Sequence, residues 1–153
     1  MGRSARKEAE PDLGMLAARL LFGVQEELFR RAAELGFDDI GPRHGGVMAY
    51  LDEEGIGVSE LVRLTGRSKQ TTGAILDELE KLGYLRRAPD PADRRARLIM
   101  PTPRGLDFMR VSDALVADIE DQHVRALGKE VYAGFKSVLG HVAARRELAT
   151  DPS

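Results

Sequence analysis

Cysteine is absent from the 153 residues. Its absence excludes disulfides, thiol catalysis, cysteine-ligated zinc and thiol redox sensing together. Histidine is scarce. His44, His123 and His141 are the three present, at a spacing that fits no metal motif, so neither a metal nor another cofactor is expected. There is no Gly-rich phosphate loop, no Ser-His-Asp order in a plausible context and no carboxylate–histidine metal motif, so no enzyme is expected. No apolar run approaches the roughly 18 residues of a membrane span. The start, Met1-Gly2-Arg3-Ser4-Ala5-Arg6-Lys7-Glu8, is charged with no apolar core behind it, and neither a secretory signal nor a myristoylation signal is expected. These absences describe a cytoplasmic protein with no membrane contact.

What is present is enough for a core: 42% hydrophobic and 31% charged residues. The charge is unevenly divided. Between Val58 and Arg104 there are ten Lys or Arg against six acids, a net +4, whereas the remainder is −6. A basic middle in an acidic frame points towards a polyanionic partner, against the plainer reading of a solvated basic face.

Residues 1–12 read as a flexible lead-in. Leu13, Leu16, Leu20, Val24, Leu28, Ala32 and Leu35 then recur at helical spacing, closed by Gly36. Pro42 opens a second helix that runs to Gly55, and Gly55-Ile56-Gly57-Val58 forms an extended link. Ser59 is the expected N-cap of a short helix, Glu60 to Leu64, closed by Gly66. Ser68 caps the next helix, which buries Ile75, Leu76, Leu79 and Leu82 and stops at Gly83. The period then changes. Tyr84 to Arg87 and Arg97 to Met100 read as strands around a turn-rich, charged tip, residues 88–96. Thr102 with Pro103 starts a long helix bearing Leu106, Met109, Leu115 and Ile119. After a break at Leu127-Gly128 a last helix carries Val131, Tyr132, Phe135, Val138, Leu139 and Val142.

Short helix, glycine turn, second helix and β-hairpin, in that order, make the layout of a winged helix-turn-helix. A core of Leu61, Leu64, Ile75 and Leu79 leaves the polar first turn of the second helix outward, where Arg67, Ser68, Lys69, Gln70, Thr71 and Thr72 are the candidate DNA-binding residues. Gln70 suits a bidentate contact with adenine, and Thr71 a contact with a thymine methyl. At the hairpin tip Arg94 and Arg95 suit a narrow minor groove, and Asp93 is expected to orient Arg95 by a paired hydrogen bond. Two alternatives stand beside this: a chance helix pair joined by glycine, and a tip that serves only solubility.

The stretch Val58-Ser59-Glu60-Leu61, Ser68-Lys69-Gln70-Thr71-Thr72, Ile75 to Arg87, Asp90-Pro91-Ala92-Asp93-Arg94-Arg95 and Thr102-Pro103-Arg104-Gly105 resembles the MarR (multiple antibiotic resistance regulator) family. The resemblance extends over nearly the whole chain, and Asp-x-Arg followed by Thr-x-x-Gly is its most specific part. It implies a mainly α fold with a small β-wing: a winged helix-turn-helix with N- and C-terminal dimerisation helices. The lead-in is then 1–12 and a single domain occupies 13–153, with the winged part about 40–104 and dimerisation helices about 13–36 and 103–147. It further implies a homodimeric transcription regulator of a bacterium or archaeon. The recognition helix would begin at Ser68 to Thr72, and Arg95, oriented by Asp93, would enter the minor groove with Arg94 beside it. The chain departs from the family pattern at Gly73-Ala74, where a Ser-Arg-like pair is usual, at Glu78, where a base is frequent, and at Pro101, which replaces the usual leucine.

A dimer also follows from the residues. One helix tip and one wing offer few phosphate contacts, and a two-fold pair doubles them on a palindrome with half-sites about one turn, roughly 34 Å, apart. The terminal helices carry more apolar surface than a winged domain of about 90 residues covers, against the plainer reading that they pack onto their own domain as core. The resemblance implies a small-molecule effector in the crevice between the dimerisation helices and the winged domain. Arg19, His44 and Met48 are the residues selected for it, against the plainer reading of a snorkelling arginine and an ordinary N-terminal-turn histidine. The expected function is a sequence-specific DNA-binding regulator, a homodimeric repressor of a palindromic operator. The alternative is a winged-helix protein-interaction module whose basic wing meets an acidic partner.

Overall fold

A computed structural model describes residues 1–150. Residues 151–153, included in the expected single domain, lie outside the described residues. The chain divides into two units, Met1–Leu115 and Val116 onward.

In the first unit, α1 (Arg3–Ala9) lies within the segment expected to be a flexible lead-in. Its residues are good helix formers, and Lys7 pairs with Asp12, whose Oδ1 caps the next helix by accepting the Met15 N–H at 2.9 Å. That next helix is α2 (Leu13–Glu34). The helix expected from Pro42 to Gly55 is shorter. A 3-10 turn, Pro42–His44, leads into α3 (Gly45–Tyr50), and the chain leaves helical geometry at Leu51. The extended link becomes β1 (Ile56–Gly57), which pairs with a later strand and delivers the chain directly into α4 (Val58–Thr65). The helix therefore starts before Ser59, with Gly57 as its N-cap. Then follow α5 (Lys69–Lys81), β2 (Leu85–Pro89), β3 (Arg97–Pro101) and the first half of α6 (Pro103–Leu127).

The sheet order is β1-β3-β2, antiparallel throughout. Its register sets Ile56 and Arg87 opposite Ile99, and Leu85 opposite Pro101. Leu85 and Ile99 therefore share one face with Arg87, and this face turns towards α5. The core joins Val47, Leu51, Leu61, Ile75, Leu79, Leu85 and Ile99. At its edge Phe108 stacks on Phe29 and meets Phe37 and Tyr84 edge-on, with ring centroids 5.5–6.1 Å apart.

The junction of α5, the hairpin and α6 is tightly specified. Gly83 (φ 86°) turns the chain out of α5. The Thr102 N–H donates to the Tyr84 carbonyl at 3.1 Å, and the Thr102 hydroxyl donates to the Gly83 carbonyl. The Gly105 N–H in turn donates to Thr102 Oγ1 at 3.1 Å. A Cβ on Gly105 would lie 1.9 Å from the Tyr84 carbonyl oxygen. The Thr-Pro-x-Gly motif is thus a cap followed by a backbone contact that no larger residue permits. The Tyr84 hydroxyl donates to Asp39, and Arg104 bonds both Asp39 oxygens at 2.9 Å while lying over the tyrosine ring. Burial, reinforced by the Asp39 bond, pushes the Tyr84 hydroxyl up to about 12, so it remains a donor at neutral pH.

The second unit contains the end of α6 and α7 (Lys129–Thr150), separated at Gly128 (φ 91°). The Tyr132 hydroxyl donates to Glu120 at 2.7 Å, Lys136 pairs with the same carboxylate, and His123 stacks on Tyr132. On α7, Val131, Phe135, Val138 and Leu139 remain exposed. Among the described residues no helix is long and apolar enough to cross a membrane.

Gly105→Ala is expected to destabilise the fold by about 3 kcal/mol or more, the upper end of overpacking costs. Gly73→Ala, with no atom within 4 Å of its added Cβ, is expected to stabilise by about 0.5–1 kcal/mol. Denaturant unfolding of the two variants against the parent checks both signs.

Candidate nucleic-acid interface

Gly66 ends α4 in the left-handed conformation (φ 66°) and donates its N–H to Val62. The chain then reaches Ser68, whose Oγ accepts the Thr71 N–H at 3.0 Å and donates to Thr71 Oγ1 at 2.9 Å. This cap starts α5 as the sequence predicts. The first-turn N–H groups of Lys69 and Gln70 have no partner within the helix and give the tip its partial positive charge. Thr72, Ile75, Leu76 and Leu79 are buried. At 100° per residue the opposite side of α5 carries Gln70, Ala74, Asp77 and Lys81, all exposed. Lys69 and Thr71 are exposed on its flanks, and Arg67 is exposed at the turn.

At the wing tip the Asp90 carboxylate accepts the Ala92 N–H at 2.9 Å and Asp93 accepts the Arg95 N–H at 3.0 Å. Asp93 therefore acts on Arg95 through the backbone, not through the paired side-chain bond expected from sequence. A carboxylate two residues upstream in a turn reaches the main-chain N–H more readily than the end of a long side chain. The guanidinium groups of Arg94 and Arg95 are exposed and without an intramolecular partner among the described residues.

The wing and the start of α4 face each other across a cleft of about 570 Å³, with Lys69 of α5 at its wall; Ser59, Asp90, Asp93, Arg95 and Arg97 are among its lining residues. Glu60 also lines it. Each acid there is already satisfied: Asp90 and Asp93 by backbone N–H groups, and Glu60 by Arg63, which holds the carboxyl below its usual range. The cations Lys69, Arg95 and Arg97 have no such partner among the described residues. The acids of α5 follow the same rule. Arg87 binds Asp77 at 2.8 Å and Glu80 at 2.9 Å, and Glu78 takes Arg43 at 2.9 Å and His44 at 3.0 Å. The local charge left free is positive.

The structure brings Arg67, Ser68, Lys69, Gln70 and Thr71 to one exposed helix tip, and brings Lys69 and Arg95 to one cleft. Thr72 requires correction. Its side chain is fully buried and its hydroxyl has no hydrogen-bond partner among the described residues, because its position lies on the core side of α5. Two effector candidates also change role. His44 is buried: its Nδ1 accepts the Gly41 N–H at 3.0 Å, so Nε2 carries the proton and donates to Glu78. Met48 is a core residue. Neither offers a free group to a ligand, and Arg19 alone of the three is exposed. Sequence reasoning missed Ser59 and Arg97 as lining residues. The alternation of β3 hinted at Arg97, but the cleft exists only once hairpin and helices are packed.

Thr72→Val is expected to preserve or raise stability, by up to about 1 kcal/mol, because it removes a buried hydroxyl that bonds nothing. A midpoint well below the parent's in thermal unfolding would contradict this placement.

A model described as MarR family matches residues 38–96. An uncharacterised HTH-type transcriptional regulator of Bacillus subtilis strain 168, YcgE, is 35% identical over 100 residues, 65% of this chain and 63% of that protein. The transcriptional regulator HosA of Escherichia coli O111:H- is 26% identical over 89 residues, 58% of this chain and 66% of that protein. The matches thus span just under two thirds of the length of these curated relatives. Among solved structures, the transcriptional repressor CouR bound to a 23-mer DNA duplex superposes with TM-score 0.72 at 27% identity, over 90% of this chain and 95% of that one.

Proposed function

We propose that the chain is a MarR-family transcription regulator that binds double-stranded DNA through the tip of α5 and the wing. The observation that carries this is the charge arrangement of the cleft: among the described residues Lys69, Arg95 and Arg97 have no partner, and every acid beside them is bound within the chain. A surface that neutralises its own carboxylates and leaves its cations free suits phosphate. Arg94 and Arg95 enter the minor groove, Gln70 addresses base edges, and Lys69, Arg97 and Ser59 hold the backbone between helix and wing. The likeness to a repressor solved with its duplex supports the same reading.

The working form is a homodimer. On α2, Leu13, Leu16, Leu20 and Leu21 are 39–60% exposed, and on α7 Val131 and Val138 exceed 60%. Apolar stripes of this extent remain unsatisfied in a single chain, and a second copy covers them. A two-fold pair reads a palindrome and represses by occupying the operator. The protein acts in the cytoplasm, where its DNA is.

Arg95→Ala is expected to weaken duplex binding by about 1–3 kcal/mol and to reduce the slope of log affinity against log salt by about one. Arg97→Ala is expected to reduce the slope similarly, and Arg95→Ala combined with Lys69→Ala to abolish specific binding. The duplex comes from selection of the full chain on a random pool, which is expected to yield a palindrome with half-sites about one helical turn apart. Undiminished affinity in the double variant, or no enriched sequence, overturns the proposal and favours a protein partner for the wing.

A further inference from the structure

We propose that major-groove base reading by this chain is confined to Gln70 and Ala74, and that Ala74 reads the 5-methyl group of a thymine. This rests on the DNA-binding reading above. The outward ridge of α5 consists of Gln70, Ala74, Asp77 and Lys81. Asp77 is held by Arg87 and is not free to accept from a base. Lys81, in the last turn, has a long cationic chain suited to phosphate. Thr71, the residue that sequence alone matched to a thymine methyl, lies on the flank with its hydroxyl accepting from the cap residue Ser68.

Ala74 occupies the middle of the ridge, exposed and bearing only a methyl group. Beside it Gly73 adds nothing, and the space a Cβ would occupy there has no neighbour within 4 Å. A helix with this bare central turn approaches base edges more closely than one that carries long side chains there. In the major groove thymine is the base that presents a methyl, and an alanine Cβ has no other specific contact to make. Gln70 lies one turn earlier, about 6 Å along the axis, and its amide matches the N6 and N7 of adenine. A base pair is about 3.4 Å along a strand, so the two contacts fall within about two base-pair steps. The half-site is therefore expected to contain an adenine and a thymine at that separation, with weaker preference elsewhere.

The test uses the full chain and the duplex enriched from the random pool. Each thymine is replaced in turn by deoxyuridine, which lacks only the methyl. One position per half-site is expected to lose about fourfold in affinity, the transfer worth of one buried methyl group. The exchanged variant, Gly73→Ala with Ala74→Gly, retains one alanine and one glycine in the helix, and the thymine-to-uracil difference is expected to vanish in it. Ala74→Asn is expected to shift the preference at that base pair from thymine to adenine. Sensitivity at no thymine overturns the assignment, as does a difference that survives the exchange or a thymine preference unchanged by asparagine. Failure to enrich any sequence overturns the DNA-binding reading itself, and this inference with it, so the two failures are distinct.

Discussion

The backbone contact between Tyr84 and the start of α6 is the constraint on which the winged part depends. One carbonyl accepts the Thr102 N–H and is approached by Gly105 so closely that no side chain fits between them. The exit of α5, the first strand of the wing and the N-terminus of α6 are therefore fixed at one point. The Tyr84 side chain extends this fixation, bonding Asp39 beyond the end of α2 and packing among Phe37 and Phe108. With those positions set, the β2–β3 register turns Arg87 to the face that packs on α5. Arg87 lies over α5 and joins the wing stem to Asp77 and Glu80. The stem of the wing is thus tied to α5 through Arg87, so helix and hairpin hold a fixed relation.

The second constraint is electrostatic. Six acids lie between Val58 and Arg104, and the structure gives each a partner within the chain: Glu60, Asp77, Glu78 and Glu80 by cationic side chains, Asp90 and Asp93 by backbone N–H groups. Most of these pairs are exposed and contribute little to stability. Their consequence is for binding. Carboxylates that already accept hydrogen bonds repel phosphate less, while Lys69, Arg94, Arg95 and Arg97 have no partner among the described residues. Glu78, which looked out of place in the sequence because a base is frequent there, is explained by Arg43 and His44, two residues from a distant turn.

Most elements were legible in the sequence. The Ser68 cap, the Gly66 and Gly83 stops, the hairpin and the break at Gly128 follow from local chemistry that each residue carries wherever it stands. Local rules missed the two-residue strand β1, because Ile56 and Gly57 have no pattern of their own and become a strand only by pairing with β3. They set the α4 start too late for the same reason. Of the candidate site, the exposed tip and the arginines of the wing were legible as motif. Thr72 was misplaced because adjacency in sequence to polar neighbours says nothing about which side of a helix faces the core.

By itself the sequence determined the order and type of the elements, the absence of thiol chemistry, and the pattern of short helix, turn, helix and basic hairpin. These depend on capping, periodicity and composition, which act over a few residues. Only the tertiary structure decided which charges are free. Pairing depends on distance between groups far apart in the chain, such as Glu78 with His44 or Arg104 with Asp39, and no local pattern encodes that distance. The cleft between wing and helix, and the turn of α5 that presents Ala74 and hides Thr72, exist only because packing fixes the orientation of one element against another.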